Sequence, residues 1–122
     1  MDKQCTRPLS EAERNLARWM LENGTTEARR YLSQLELAEA DLWTCPCGCA
    51  SFSFRVKGQP KASPGMHILG DYLLGSGDNL SGAFIYSSAG ILSGVEVYGM
   101  AGDAPRVLPV PEELRRYEEG AP

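Results

Sequence analysis

The sequence predicts an α+β domain, with two N-terminal helices packed on one face of an antiparallel sheet of about five strands. Three observations predict it. Apolar residues recur at helical spacing from Ala12 to Leu35, a period of two takes over at Phe52, and the connections between the later strands are short. Short connections make antiparallel neighbours, because a parallel pair needs a crossover of about a dozen residues or more. Helices first and strands afterwards is the α+β order.

The elements follow in turn. Ser10-Glu11-Ala12-Glu13 has the form of a capping box, in which the Ser10 hydroxyl and the Glu13 carboxylate satisfy two early backbone N–H groups. Ala12, Leu16, Trp19 and Met20 then make one apolar stripe. Asn23-Gly24 is expected to end this helix, with Gly24 in the left-handed conformation. Thr25 or Thr26 caps a second helix of about three turns, whose stripe is Ala28, Tyr31, Leu32 and Leu35. Ala40 to Thr44 reads as the hairpin partner of Phe52, Phe54 and Val56, with a tight turn at Cys45-Pro46-Cys47-Gly48-Cys49 between them. Residues 58–66 form a loop, His67 to Leu74 a strand, and Gly75 to Asn79 a flexible turn. Ala83–Ser87 and Ile91–Tyr98 read as a hairpin, with Ile91, Ser93, Val95 and Val97 on one face and Leu92, Glu96 and Tyr98 on the other. The second face of the sheet is expected to be partly open, with Leu92, Tyr98, Tyr72 or Tyr86 upon it. The tail takes an extended path through Pro105, Pro109 and Pro111, with one helical turn starting at Pro111.

Composition sets the class. The chain of 122 residues has room for a single domain, 1–122, with 1–8 and 118–122 as flexible ends. Hydrophobic residues make up 43% and charged residues 23%, which fits neither a disordered chain nor a membrane-embedded one. Twelve basic and 16 acidic residues leave a net charge of −4, the wrong sign for gripping phosphate backbones. No run approaches the roughly 18 apolar residues of a membrane helix. Met1-Asp2-Lys3-Gln4-Cys5 lacks the apolar core of a signal peptide, so the expected location is cytoplasmic. Most of the negative charge sits in residues 58–104, where Lys61 stands against Asp71, Asp78, Glu96 and Asp103.

Groups able to carry chemistry are few. Cys45, Cys47 and Cys49 are the most unusual feature. Their spacing departs from the Cys-x2-Cys knuckle of zinc sites, and a fourth ligand would have to come from Cys5 or His67. A Cys45–Cys49 disulfide across the hairpin is a second reading, and reduced turn residues the simplest. His67 is the single histidine, which excludes sites needing two and leaves no cysteine with an evident base. Gly75-Ser76-Gly77-Asp78-Asn79 lacks the Lys-Ser/Thr ending of a phosphate loop and has too few acids for calcium. Trp19 and Trp43 read as packing residues. Asp71 and Glu96 would form a carboxylate pair only if their strands were neighbours facing one way. No motif supports an enzyme, and no cofactor is implied outside a zinc reading of the cysteines.

The stretch from Trp19-Met20-Leu21-Glu22-Asn23-Gly24 through Glu27-Ala28-Arg29-Arg30 to Cys45-Pro46-Cys47-Gly48-Cys49 resembles a group of small bacterial proteins. They share a helical start, a Cys-rich turn and an ending similar to Gly94-Val95-Glu96-Val97-Tyr98, over roughly residues 15–115. As a class the chain looks like a bacterial immunity protein, which neutralises a toxin domain delivered by contact-dependent inhibition or secretion. That likeness implies a small, cytosolic, acidic and non-catalytic binding protein. Its partner would be a basic protein domain such as a nuclease, met through Asp71, Asp78, Glu96 and Asp103 with no nucleic acid or membrane involved. The alternative is a small zinc-binding or redox-responsive domain built on Cys45, Cys47 and Cys49. Strand order, oligomeric state and the partner's identity stay open in the sequence.

Overall fold

A computed structural model describes residues 6–42, 50–60 and 64–116. Trp43, the cysteine turn with Cys45, Cys47 and Cys49, and Cys5 lie outside the described residues. The chain runs β1 (Thr6–Pro8), α1 (Glu11–Glu22), a 3-10 turn (Ala28–Tyr31), α2 (Leu32–Glu36), β2 (Ala38–Asp41), β3 (Phe52–Val56), β4 (His67–Leu74), β5 (Ser81–Ser88), β6 (Ile91–Gly99) and β7 (Arg115–Arg116). Among the described residues seven strands form one sheet in the order β1-β2-β3-β6-β5-β4-β7, with antiparallel neighbours throughout.

The α+β class therefore stands, and its details change. The sheet has seven strands rather than about five, because Thr6–Pro8 and Arg115–Arg116 add short edge strands that carry no hydrophobic alternation of their own. The helices are not strictly N-terminal, since β1 precedes α1. The second helix is a 3-10 turn followed by five α-helical residues, without a side-chain cap from Thr25 or Thr26. The strands are not a simple meander either. β3 pairs with β6, so β3 and β4, consecutive in the chain, are separated in the sheet by β6 and β5.

α1 starts as its sequence dictates. Ser10 Oγ accepts from the Glu13 N–H at 3.1 Å, and Glu13 Oε1 accepts from the Ser10 N–H at 2.9 Å. Arg7 on β1 closes the same carboxylate from outside with two donated bonds of 2.8 and 2.7 Å, which ties the edge strand to the helix. Leu16, Ala17, Met20 and Leu21 are buried on the sheet, and each buried leucine or methionine contributes about 2 kcal/mol.

The helix ends differently from expectation. Gly24 does not have a positive φ. Asn23 caps α1, with its backbone N–H and its Nδ2 both donating to the Trp19 carbonyl. Gly24 is needed for space instead, because a Cβ there would collide with the Leu69 carbonyl oxygen of β4. The next residue, Thr25, donates its N–H to that same oxygen at 2.8 Å.

The core lies between the helices and one sheet face. Phe52, Phe54 and Val56 point into it alternately with half-buried Ser53 and Arg55, as the period of two requires. Tyr72 and Leu92, expected on the open face, belong here. The Tyr72 hydroxyl donates to the Met20 carbonyl at 2.6 Å, and its ring packs on Trp19 at 5.2 Å. Leu92 turns inward because the β5–β6 register slips between Tyr86 and Ser87, leaving Ser93 as an extra residue. Leu92 thereby joins Val95 and Val97, all essentially inaccessible. From α2, Gln34 clamps this irregularity. Its Nε2 donates to the Gly90 carbonyl at 2.9 Å, and its Oε1 accepts from the Leu92 N–H at 2.8 Å. The hairpin itself turns on Ala89 and Gly90, with φ of 53° and 82°, the pair of left-handed residues that a two-residue connection favours.

Candidate functional site

The outer face of the sheet, opposite the helices, gathers an aromatic row and two of the four singled-out carboxylates. Its centre is the β5–β6 ladder. Both strands carry glycine four residues before tyrosine, as Gly82-Ala83-Phe84-Ile85-Tyr86 and Gly94-Val95-Glu96-Val97-Tyr98. Antiparallel pairing sets Gly82 opposite Tyr98, Tyr86 opposite Gly94, and Phe84 opposite Glu96. The ladder thus has a local two-fold arrangement around the Phe84–Glu96 pair.

The glycines let the tyrosine rings lie down. A Cβ on Gly82 would run into the Tyr98 ring, and one on Gly94 would meet the Tyr86 hydroxyl at 2.7 Å. Each ring fills the space over its cross-strand glycine, a pairing that restores contact where glycine leaves the sheet bare. Phe84 sits between them, its centroid 5.7 Å from Tyr86 and 5.9 Å from Tyr98, with the planes tilted by 57° and 54°. All three rings are half-buried.

Two of the four acidic residues singled out in the sequence flank this aromatic row. Asp71 on β4 pairs with Phe84 from one side, and Glu96 on β6 pairs with it from the other. They face the same way but are separated by β5, so they form a row, Asp71–Phe84–Glu96, and not a catalytic dyad. The other two lie at one end of the sheet. Asp78 is in a 3-10 turn after β4, and Asp103 is in the loop after β6. These loops touch, since a Cβ on Gly102 would lie 3.2 Å from the Asp78 carbonyl oxygen.

The electrostatics divide the face in two. Toward β1–β3 the charges are neutralised locally, with Arg55 3.5 Å from Asp41 and Lys57 3.8 Å from Glu39. Toward β6 and the end loops they are not. Among the described residues no lysine or arginine forms an ion pair with Glu96, Asp78 or Asp103. Partial burial pushes the Glu96 carboxyl above its ordinary range, and a hydrogen bond from Ser51 opposes the rise. Partial burial likewise pushes the Tyr86 hydroxyl up, the Glu96 charge adds to this, and a hydrogen bond with Ser53 opposes it.

His67 lies away from this region, exposed at the start of β4, with Nε2 2.7 Å from Glu27 Oε1. Among the described residues no group of three or more His, Cys, Asp or Glu side chains could hold a metal ion, and Cys45, Cys47 and Cys49 are outside that set. No helix among the described residues is long and apolar enough to cross a membrane.

Sequence reasoning selected the carboxylates but missed Phe84, Gly82 and Gly94. The signal was present as the repeated Gly-x-x-x-Tyr spacing, which acquires meaning only once the two segments are paired in register. Comparison with protein-family models, with curated proteins and with solved structures finds no match for this chain.

Proposed function

We propose that this chain is a non-catalytic protein-binding module, an immunity protein that neutralises a basic bacterial toxin domain, of nuclease type, by docking on the outer sheet face. One observation carries the reading. An aromatic row of Phe84, Tyr86 and Tyr98 is joined to Glu96, Asp78 and Asp103, which have no ion-pair partner among the described residues. Aromatic anchors supply affinity when they are desolvated at the centre of an interface. Unneutralised carboxylates accelerate encounter with a basic surface. The row stands on β5 and β6, paired along most of their length, so docking requires little ordering of the face. The cytoplasm is where such a protein would meet an incoming toxin, and neither nucleic acid nor membrane takes part in the contact.

The test is to co-express the chain with the products of neighbouring genes and to measure association kinetics with any basic domain recovered, at low and moderate salt. The double charge reversal Asp78→Lys, Glu96→Lys is expected to slow association at least tenfold at low salt and to flatten its salt dependence. An unchanged rate and salt slope overturn the reading.

A further inference from the structure

We propose that the groove between α1 and the tail segment 109–112 is a docking site for a peptide segment that carries one aromatic side chain flanked by arginine or lysine. The site is separate from the outer sheet face, because α1 packs on the other side of the sheet.

The groove follows from what α1 leaves uncovered. Leu16, Ala17, Met20 and Leu21 are buried, so Glu11, Ala12, Asn15 and Glu22 are left on the exposed side of the helix. Trp19 belongs to both regions, since it packs on Tyr72 at 5.2 Å and yet is only half-buried. The tail returns along this flank and closes a groove of about 650 Å³, whose apolar part is made by Ala12, Trp19, Pro109, Val110 and Pro111. That volume is within the range of ligand-binding clefts. The tail wall is held in place. Leu108 packs on the core, Pro109 and Leu114 are buried, and the Val110 carbonyl accepts from the Glu113 N–H at 2.9 Å. Val110 itself is 49% exposed.

Three features select the occupant. From 109 to 111 the wall has no backbone donor to offer, because prolines have none and the Val110 N–H already donates to Glu113 Oε1 at 3.0 Å. A partner is therefore held here by its side chains and not by strand pairing. The walls, an indole and two proline rings, suit an aromatic side chain, which buries a large area at little conformational cost. The rim selects charge. Glu11, Glu22 and Glu112 stand against Arg18 alone, and among the described residues none of the four forms an ion pair. Three acids against one base favour basic flanks on the incoming segment and repel acidic ones.

The test uses the full chain and NMR of the Trp19 indole N–H and the methyl groups of Ala12 and Val110. The probes are acetyl-Arg-Phe-Arg-amide, acetyl-Arg-Ala-Arg-amide and acetyl-Glu-Phe-Glu-amide. The first is expected to give saturable shifts centred on these groups, and the other two to bind at least tenfold more weakly. Ala12→Phe fills the groove from an exposed helical position, and the double change Glu22→Gln, Glu112→Gln removes two rim charges. Each is expected to weaken the first peptide at least fivefold, with the Phe84 and Tyr98 ring resonances unmoved. No saturable shift, a control peptide that binds as well as the first, or unchanged affinity in either variant overturns the proposal. Shifts centred on Phe84 and Tyr98 instead overturn it and assign the basic peptide to the outer sheet face. Shifts of the Trp19, Ala12 and Val110 signals on concentrating the protein alone overturn it in favour of a second copy of this chain.

Discussion

Tyr98 covers Gly82 across the β5–β6 ladder, and the absent Cβ of Gly82 is what allows the ring to lie there. The same relation holds between Tyr86 and Gly94, but the surroundings differ. At Gly82 a methyl group would strike the far end of the Tyr98 side chain, whereas at Gly94 it would also lie 2.9 Å from the Phe52 carbonyl oxygen.

Gly82→Ala and Gly94→Ala should therefore behave differently. In Gly82→Ala the Tyr98 ring swings off the sheet toward solvent, and better strand propensity offsets part of the cost, leaving stability within about 1 kcal/mol of the parent. Gly94→Ala must also displace backbone and should lose about 2–3 kcal/mol. Denaturant titration measures both. Partner affinity should fall in Gly82→Ala despite its near-normal stability, because the aromatic row is broken.

Gly24→Ala should be more damaging than either. Its Cβ would meet the Leu69 carbonyl oxygen, which cannot rotate away, and the Thr25 N–H bond to that oxygen would be lost. A loss of about 3 kcal/mol is expected, read as a lower denaturation midpoint with an unchanged m-value.

Tyr72→Phe removes one atom and tests the bond from its hydroxyl to the Met20 carbonyl. That carbonyl sits in the last turn of α1, where intrahelical partners run out. The variant should lose about 1–2 kcal/mol, the cost of a buried acceptor left without its donor.

Glu13 and Glu96 should give opposite pH dependences. Burial alone would push the Glu13 carboxyl up, but the hydrogen bond from Arg7, those from Ser10 and the Arg7 charge outweigh it and hold the group low. Its ionised form is favoured by folding. That contribution is present above the ordinary carboxylate range and is lost as pH falls through the depressed native value. Glu96 is held high by partial burial, so folding favours its neutral form. Its contribution is present below the ordinary range and is lost as pH rises through the elevated native value. Thermal melts from pH 3 to 8 should show Glu13→Gln losing stability at neutral pH and flattening the acid limb. Glu96→Gln should hold or gain stability at neutral pH while weakening partner binding.

The local devices were legible in the sequence and the long-range ones were not. Ser10 and Glu13 formed the expected box because both partners lie within one turn. Phe52, Phe54 and Val56 pointed inward because alternation survives any strand order. Simple alternation puts Leu92 on the wrong face because one extra residue at Ser93 reverses the parity of everything before it. The sequence neighbours of Gly24 suggest a left-handed turn residue, while the oxygen that requires it belongs to Leu69, 45 positions later. The edge strands carry too few residues to show a period. In the site, Asp71 and Glu96 stood out by charge, but only the register places Phe84 between them.

The sheet is not equally tied across its width. β4–β5 and β5–β6 are joined along most of their length, from His67 opposite Ser87 to Leu74 opposite Ser81, and from Ser81 opposite Gly99 to Ser88 opposite Ile91. β3 meets β6 through Phe52 opposite Val95 and Ser53 opposite Gly94, and beyond that Ser51 Oγ takes up the Val97 N–H at 2.8 Å in place of a backbone carbonyl. With so few residues paired along this seam, amide exchange should open the β1–β2–β3 wing before the slower unit of the β4–β5–β6 hairpins. Phe84, Tyr86, Glu96 and Tyr98 all belong to the slow unit. The proposed docking face should therefore stay ordered while the other wing breathes, and substitutions that loosen that wing should shorten the protein's lifetime and leave that face intact.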